Sequence, residues 1–205
     1  MKRRSKPLRA VLFDLGGVLV EFDGTAPLVE MTAGRLDLED ARKFWIRSPA
    51  VRLFETGRSS PAEFTEAAMK ELGVRMDAQA FLEAFISWEK GLLPGALGLL
   101  DEIRPRILTA CLSNNNALHW ELLRDRFGMD RKFHRCFLSH EIGLIKPDPA
   151  LFRHVLSGLG MEAEEALFLD DNPEHVRAAE GIGIVAMRVD GVAEAREALK
   201  TMKVL

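Results

Sequence analysis

The sequence predicts an α/β fold: a doubly wound parallel sheet with a helical subdomain inserted after its first strand. Three observations carry this. Short apolar runs alternate with helical patterns along most of the chain. The runs are nearly continuously apolar rather than alternating, as strands covered by helices on both faces are. One long stretch, from about residue 25 to 93, carries no strand pattern and reads as helices alone.

The strand-like runs are AVLFDL (10–15), ILTACLS (107–113), CFLS (136–139), ALFLDD (166–171) and IVAMRV (184–189). Helical patterns lie between and after them, at roughly 95–104, 115–127, 149–159, 173–181 and 192–201. This alternation is the pattern of a wound parallel sheet. Within the insert the clearest start is SSPAEFTEAAMKELG. Ser60 is placed as N-cap, Pro61 at the first helical position, Glu63 to close a capping box and Gly73 as the stop. Phe64, Ala67, Ala68 and Leu72 then share one face. A second helix is expected from about Asp77 to Lys90, and LLPGALG (92–98) reads as the return linker. The expected division is a core of residues 1–22 and 93–205 and a helical cap of residues 23–92.

A chain of 205 residues, 47% hydrophobic, suffices for one core with an inserted subdomain. Its net charge of −3 offers no electrostatic grip on nucleic acid. The basic start, MKRRSKPLR, has the charge of a signal peptide, but Asp14 interrupts the apolar core that would follow, and no small-residue cleavage site appears. No apolar run is long enough to span a bilayer. Cys111 and Cys136 are distant in sequence and belong to no CxxC or Cys/His cluster. They read as reduced structural thiols, and the expected location is cytoplasmic.

In an open parallel sheet, ligands bind beyond the carboxyl ends of the strands. The first strand ends on Asp14, followed by Gly16 and Gly17. The second ends on Ser113, Asn114, Asn115 and Asn116. The segment after CFLSHEIGL delivers Lys146 before Pro147, and the fourth strand ends on Asp170 and Asp171. Singly, each has a bland explanation as a turn residue, a cap or a solvated charge. Jointly, carboxylates so close repel one another unless a cation binds. Oxygen ligands without His or Cys point to a hard ion, Mg²⁺.

The set FDLGGVL, LSNNN, GLIKPDPALF and FLDDNPEHVRAAEGIGI resembles, in order and spacing, the four motifs of the haloacid dehalogenase-like hydrolase superfamily. The resemblance covers essentially the whole chain and implies a Rossmann-like core with a cap between the first and second motifs. It implies Asp14 as the nucleophile that becomes an aspartyl phosphate. Ser113 and Asn114 would hold a phosphoryl oxygen, with Gly17 and Asn115 as further substrate contacts. Lys146 would neutralise Asp14 and the phosphate. Asp14, the Gly16 carbonyl, Asp170 and Asp171 would hold Mg²⁺. The implied function is Mg²⁺-dependent hydrolysis of a small phosphomonoester by a monomer or homodimer, with neither nucleic acid nor membrane as partner.

The sequence departs from the family's usual D-x-D first motif, because Gly16 stands where a general acid would. General acid–base help is typically worth about 10²–10⁴-fold. One reading is a substrate with a less basic leaving group, and FDLGGV with LSNNN and FLDDN is similar to a sugar-1-phosphate phosphatase branch that lacks the same acid. Water, or Glu21 or Asp23, would then substitute. A second reading is a binding or regulatory protein that has lost catalysis. It explains Gly16 but not the retention of Asp14, Lys146, Asp170 and Asp171. A haloacid dehalogenase ranks third: the Asp170–Asp171 pair is a metal pattern, and residues 15–34 hold no arginine. In the insert, Arg47, Arg52, Glu55 and Arg58 are free either to contact a sugar hydroxyl or second phosphate or to line a solvated surface. Trp45 and Trp88 are assigned to the cap core and Trp120 to packing on the sheet. His119 and His175 are assigned no catalytic role.

Overall fold

The computed structural model describes residues 6–205. The basic start at 1–5 lies outside the described residues. Five strands form the sheet: β1 (Ala10–Phe13), β4 (Leu108–Ser113), β5 (Arg135–Leu138), β6 (Ala166–Asp170) and β7 (Val185–Arg188). They are all parallel, in the order β5-β4-β1-β6-β7. Val11 and Phe13 of β1 enter one apolar cluster and Leu12 the other, on the opposite face. Both faces are therefore buried, which is why the strands read as unbroken apolar runs. The helices α6 (Ala96–Asp101), α7 (Ala117–Phe127), α8 (Ser139–Ile142), α9 (Pro149–Leu159) and α10 (Pro173–Gly181) lie between the strands, and α11 (Gly191–Thr201) follows the last one. β1 sits centrally between β4 and β6, so their carboxyl ends open on one crevice.

The insert comprises α1 (Ala26–Met31), α2 (Leu38–Arg47), α3 (Pro49–Glu55), α4 (Pro61–Leu72) and α5 (Ala78–Ser87). These helices bury an apolar cluster of their own, with Leu28, Phe54, Phe64, Phe81, Phe85 and Trp88 at its centre. The Phe54 and Phe64 rings stack 4.5 Å apart. α4 carries the full capping box of Ser60 and Glu63 and ends on Gly73 in the left-handed conformation, as its sequence dictates.

The stem of the insert differs from expectation. The second cap helix was expected to run to residue 90, with no strand between 25 and 93. Instead α5 stops at Ser87, and β3 (Glu89–Leu92) pairs antiparallel with β2 (Val20–Phe22). The chain leaves and re-enters the core at neighbouring points, and two adjacent extended segments satisfy their backbone groups by pairing. Four residues with two charges and a glycine carry too little pattern to announce this. The sheet likewise cancels the sequence separation of the cysteines: Cys111 and Cys136 lie opposite in register on β4 and β5, and both are free.

Candidate active site

The crevice is built on Lys146. Its side chain is fully buried and donates to Asp14 Oδ1 at 2.9 Å and to Asp170 Oδ2 at 2.7 Å, tying the ends of β1 and β6 together. Leu15 N–H also donates to Asp14 Oδ1 at 2.7 Å. No hydrogen bond among the described residues engages Asp14 Oδ2, and Asp14 lines a cavity of about 110 Å³. Asp170 is 0% exposed and accepts further from Asn172 N–H (2.8 Å) and from His175 Nδ1, which lies 3.1 Å from both carboxylate oxygens.

These contacts split the two acids electrostatically. Burial pushes both carboxyls up. For Asp170 the Lys146 charge and the His175 contact outweigh burial and hold it well below the usual carboxylate range. For Asp14, burial and the Asp170 charge prevail over Lys146, so its carboxyl stands well above that range. Burial and Asp170 also raise Asp171. Burial disfavours the ammonium of Lys146, but Asp14 and Asp170 outweigh it and keep the lysine charged. Three carboxyls around one buried ammonium leave an excess of negative charge, and a divalent cation would relieve it.

The expected site residues fall into two groups. Asp14, Lys146, Ser113 and Asp170 converge on the crevice, with Ser113 and Gly16 in the wall of the Asp14 cavity. The three asparagines border the cavity as well as making internal hydrogen bonds, and Gly17 is engaged through its backbone. Gly17 has φ +71°, and a Cβ there would run into the Asp171 carboxylate. Its N–H donates to Val20 O and its carbonyl accepts from Gly191 N–H. Gly17 forms the turn that admits Asp171. Asn114 borders both the Asp14 cavity and an adjoining one, and also has a structural task. Its amide grips the Lys146 backbone, accepting from N–H at 2.8 Å and donating to the carbonyl at 3.1 Å, next to the cis Lys146–Pro147 bond. Asn115 anchors Ser139 through its own backbone at 2.9 and 3.0 Å, although its side chain still borders the cavity. Asn116 caps α7.

Asp14, Asp170 and His175 are the described residues whose ligand atoms all lie within 4.8 Å of one another. Asp171 stands outside that group, with its carboxylate against Gly17. The sequence shows no partner for His175 at useful spacing. The partner is Asp170, five residues earlier, and the contact needs the strand-to-helix turn capped by Asn172. His119 borders the cavity and makes contacts that join two helices. Its ring stacks on Phe85 at 4.4 Å, its Nδ1 meets Asn116 Nδ2 at 3.0 Å, and its Nε2 meets Phe85 O at 2.9 Å. Since an amide nitrogen only donates, Nε2 carries the proton. Burial drops this histidine to about 4, and it pins α7 to α5 as a neutral group.

The insert closes the cavity with Phe22, Trp45, Glu55 and Glu89. Trp88 and Trp120 are buried as expected. Trp45 is not core alone: it is half-buried, donates from Nε1 to Gly24 O at 2.9 Å and forms cavity wall. Glu21 is exposed, and Asp23 Oδ1 caps the turn into α1 by accepting from Thr25 and Ala26, so neither borders the cavity. Of the insert's expected polar candidates only Glu55 reaches this cavity, while Arg52 borders an adjoining one of about 220 Å³ that also touches Lys146 and His175. Glu89 was not foreseen at all. It is 8% exposed with Oε1 unpartnered, and burial pushes it up to about 8.

The haloacid dehalogenase-like hydrolase family model matches residues 8–183. Phosphoserine phosphatase of Thermus thermophilus is 35% identical over 133 residues, 62% of this chain and 53% of that protein. A sesquiterpene phosphatase of Aspergillus oryzae is 28% identical over 88% of this chain and 89% of its own length. A family enzyme of Bacteroides thetaiotaomicron, solved with magnesium and inorganic phosphate, superposes with a TM-score of 0.74 at 26% identity, over 88% of this chain and 93% of that one. No helix among the described residues is long and apolar enough to cross a membrane. With the four strand-end motifs assembled on one parallel sheet, the chain belongs to the haloacid dehalogenase-like hydrolase family.

Proposed function

We propose that the protein hydrolyses a small phosphomonoester, with Asp14 as nucleophile and Mg²⁺ as cofactor. The observation that carries this reading is the buried bridge from Lys146 to both Asp14 and Asp170, with Asp14 and Ser113 both lining one cavity. Asp14 attacks phosphorus and becomes an aspartyl phosphate, which water then opens. Lys146 offsets the charge of two anions brought together, and Ser113 binds a phosphoryl oxygen. Asn114 holds the lysine's backbone in place, and His175 holds Asp170.

The oxygen donors and the excess negative charge fit a hard divalent ion. Asp14 and Asp170 would hold it, with Asp171 and the Gly16 carbonyl completing the protein's share. When bound, Mg²⁺ orients the phosphoryl group and draws off its charge. Magnesium in the Bacteroides structure supports this choice.

The cavity of about 110 Å³ adjoins one of about 220 Å³ that shares Trp45, Glu55 and Asn114 with it, and together they suit a small phosphorylated molecule. Among the residues lining the Asp14 cavity is no arginine, while Glu55 and Glu89 are there. A hydroxylated organic group such as a sugar suits those partners, and a second anion does not. The same absence leaves a haloacid's carboxylate without a clamp. The test is phosphate release from sugar 1-phosphates, sugar 6-phosphates and an aryl phosphate, with and without Mg²⁺. Metal-dependent turnover that disappears in Asp14→Asn is expected. Silence from every ester would leave a binding protein that has kept the site without the reaction.

A further inference from the structure

Motif one leaves a gap at Gly16. A Cβ built there meets nothing within 4 Å, and the residue lines the cavity over Asp14. A proton donor for the leaving alcohol must come from elsewhere. Across the cavity stands Glu55, the last residue of α3. It borders both the Asp14 cavity and the adjoining one that reaches Lys146. Among the described residues nothing hydrogen-bonds to its carboxyl.

Its position is built by the turn that follows α3. Gly57 N–H donates to Phe54 O, Arg58 N–H to Leu53 O, and Thr56 Oγ1 to Arg52 O at 2.7 Å. Gly57 has φ +68° and lies so close to the His140 carbonyl on α8 that no Cβ would fit. Only glycine lets this corner dock on the core, and docking sets Glu55 over the site.

On the phosphatase reading above, we infer that Glu55, carried in by the insert, performs the proton transfer that Gly16 cannot. Asp14 attacks phosphorus, the bond to the ester oxygen breaks, and that oxygen takes the proton of the Glu55 carboxyl. Then water attacks the aspartyl phosphate and gives its proton to the Glu55 carboxylate. The bond from phosphorus to Asp14 breaks, which restores both acids and releases phosphate.

The surroundings suit the task. Burial holds the Glu55 carboxyl up to about 7, with the Lys146 charge opposing it. Asp14, Glu89 and neutral His119 face the same cavity; Arg52, Glu174 and His175 face the adjoining one. Glu89 is the rival donor. It sits on the stem, accepts from Gly91 N–H, and unlike Glu55 feels no pull from Lys146.

The test compares kcat/KM for an alkyl phosphate, whose leaving oxygen needs a proton, with that for an aryl phosphate, whose oxygen does not. Glu55→Gln is nearly isosteric, and unchanged thermal unfolding checks its fold. It should lose roughly 10²-fold on the alkyl ester and little on the aryl one. The fall in alkyl kcat/KM above about pH 7 should vanish with it, and adding Gly16→Asp should restore the lost rate. An equal loss on both esters would reduce Glu55 to a structural or binding role. The same selective loss in Glu89→Gln alone would give the part to Glu89. No turnover by the unmutated protein on either ester, with Mg²⁺ present, would overturn the phosphatase reading itself, and this inference with it.

Discussion

The strand ends of the sheet and the inner wall of the insert both bury charge, but they treat it in opposite ways. At the strand ends every buried charge has a partner: Lys146 bonds to Asp14 and Asp170, and Asp170 also to Asn172 and His175. On the insert wall, Glu55 has no hydrogen-bond partner among the described residues, and Glu89 has only the Gly91 N–H. The pairing keeps Lys146 and Asp170 charged, while burial and the Asp170 charge still raise Asp14, an imbalance that a bound cation would relieve. Without an ion partner, half-buried Glu55 and buried Glu89 are raised to about 7 and about 8, which suits proton transfer and hydroxyl binding. The core thus carries the fixed electrostatics, and the insert the groups that can change state.

The largest expected effect breaks the paired side. Lys146→Met should abolish turnover. In chelator it should also cost about 3–5 kcal/mol in denaturant unfolding, because two buried carboxylates lose their counter-ion. Mg²⁺ should return part of that stability, a readout of metal binding independent of activity. Wild-type stability in the chelated variant would show that the pair is not held charged.

Next comes the joint between the two regions. Gly57→Ala adds a clash with the His140 carbonyl to an unfavourable φ, and should cost ~1–3 kcal/mol and at least tenfold in kcat/KM. Gly34 has the same kind of backbone, φ +74°, with open space around it. Gly34→Ala should therefore show about 1 kcal/mol of backbone cost and unchanged activity. Equal losses of activity in both variants would mean that docking at Gly57 does not position the site.

The smallest effect concerns the unpaired side. Folding raises the Glu89 carboxyl from 4.5 to about 8, so the native state binds the proton more tightly than the unfolded chain. Its contribution is full below about pH 4.5 and is lost as pH rises through 8. Glu89→Gln should remove that loss and stabilise the protein by roughly 1–3 kcal/mol at pH 8.5 relative to pH 5. A parallel pH dependence in variant and wild type would place the charge elsewhere.

Much of this was legible in the chain. The five sheet strands fall within a residue or two of their apolar runs, because burial on both faces leaves no polar positions to blur them. The capping box at Ser60 and Glu63 was readable because capping is a contact between residues three apart. The β2–β3 stem was not, since its pairing partners are some 70 residues apart and neither segment has a pattern of its own. Nor were the duties of LSNNN: that Asn114 grips the Lys146 backbone depends on a loop more than thirty residues away.

By itself the sequence determined the wound sheet, the helical insert and the set of groups at the strand ends. These follow from local periodicity and from where each apolar run stops. Only the tertiary structure decided which of those groups meet. It tied Lys146 to two acids, brought His175 to Asp170, bonded Asn114 to the Lys146 backbone, and brought Glu55 and Glu89 to the cavity that Gly16 also borders. Contacts between distant segments depend on packing distances and burial, which no spacing along the chain encodes.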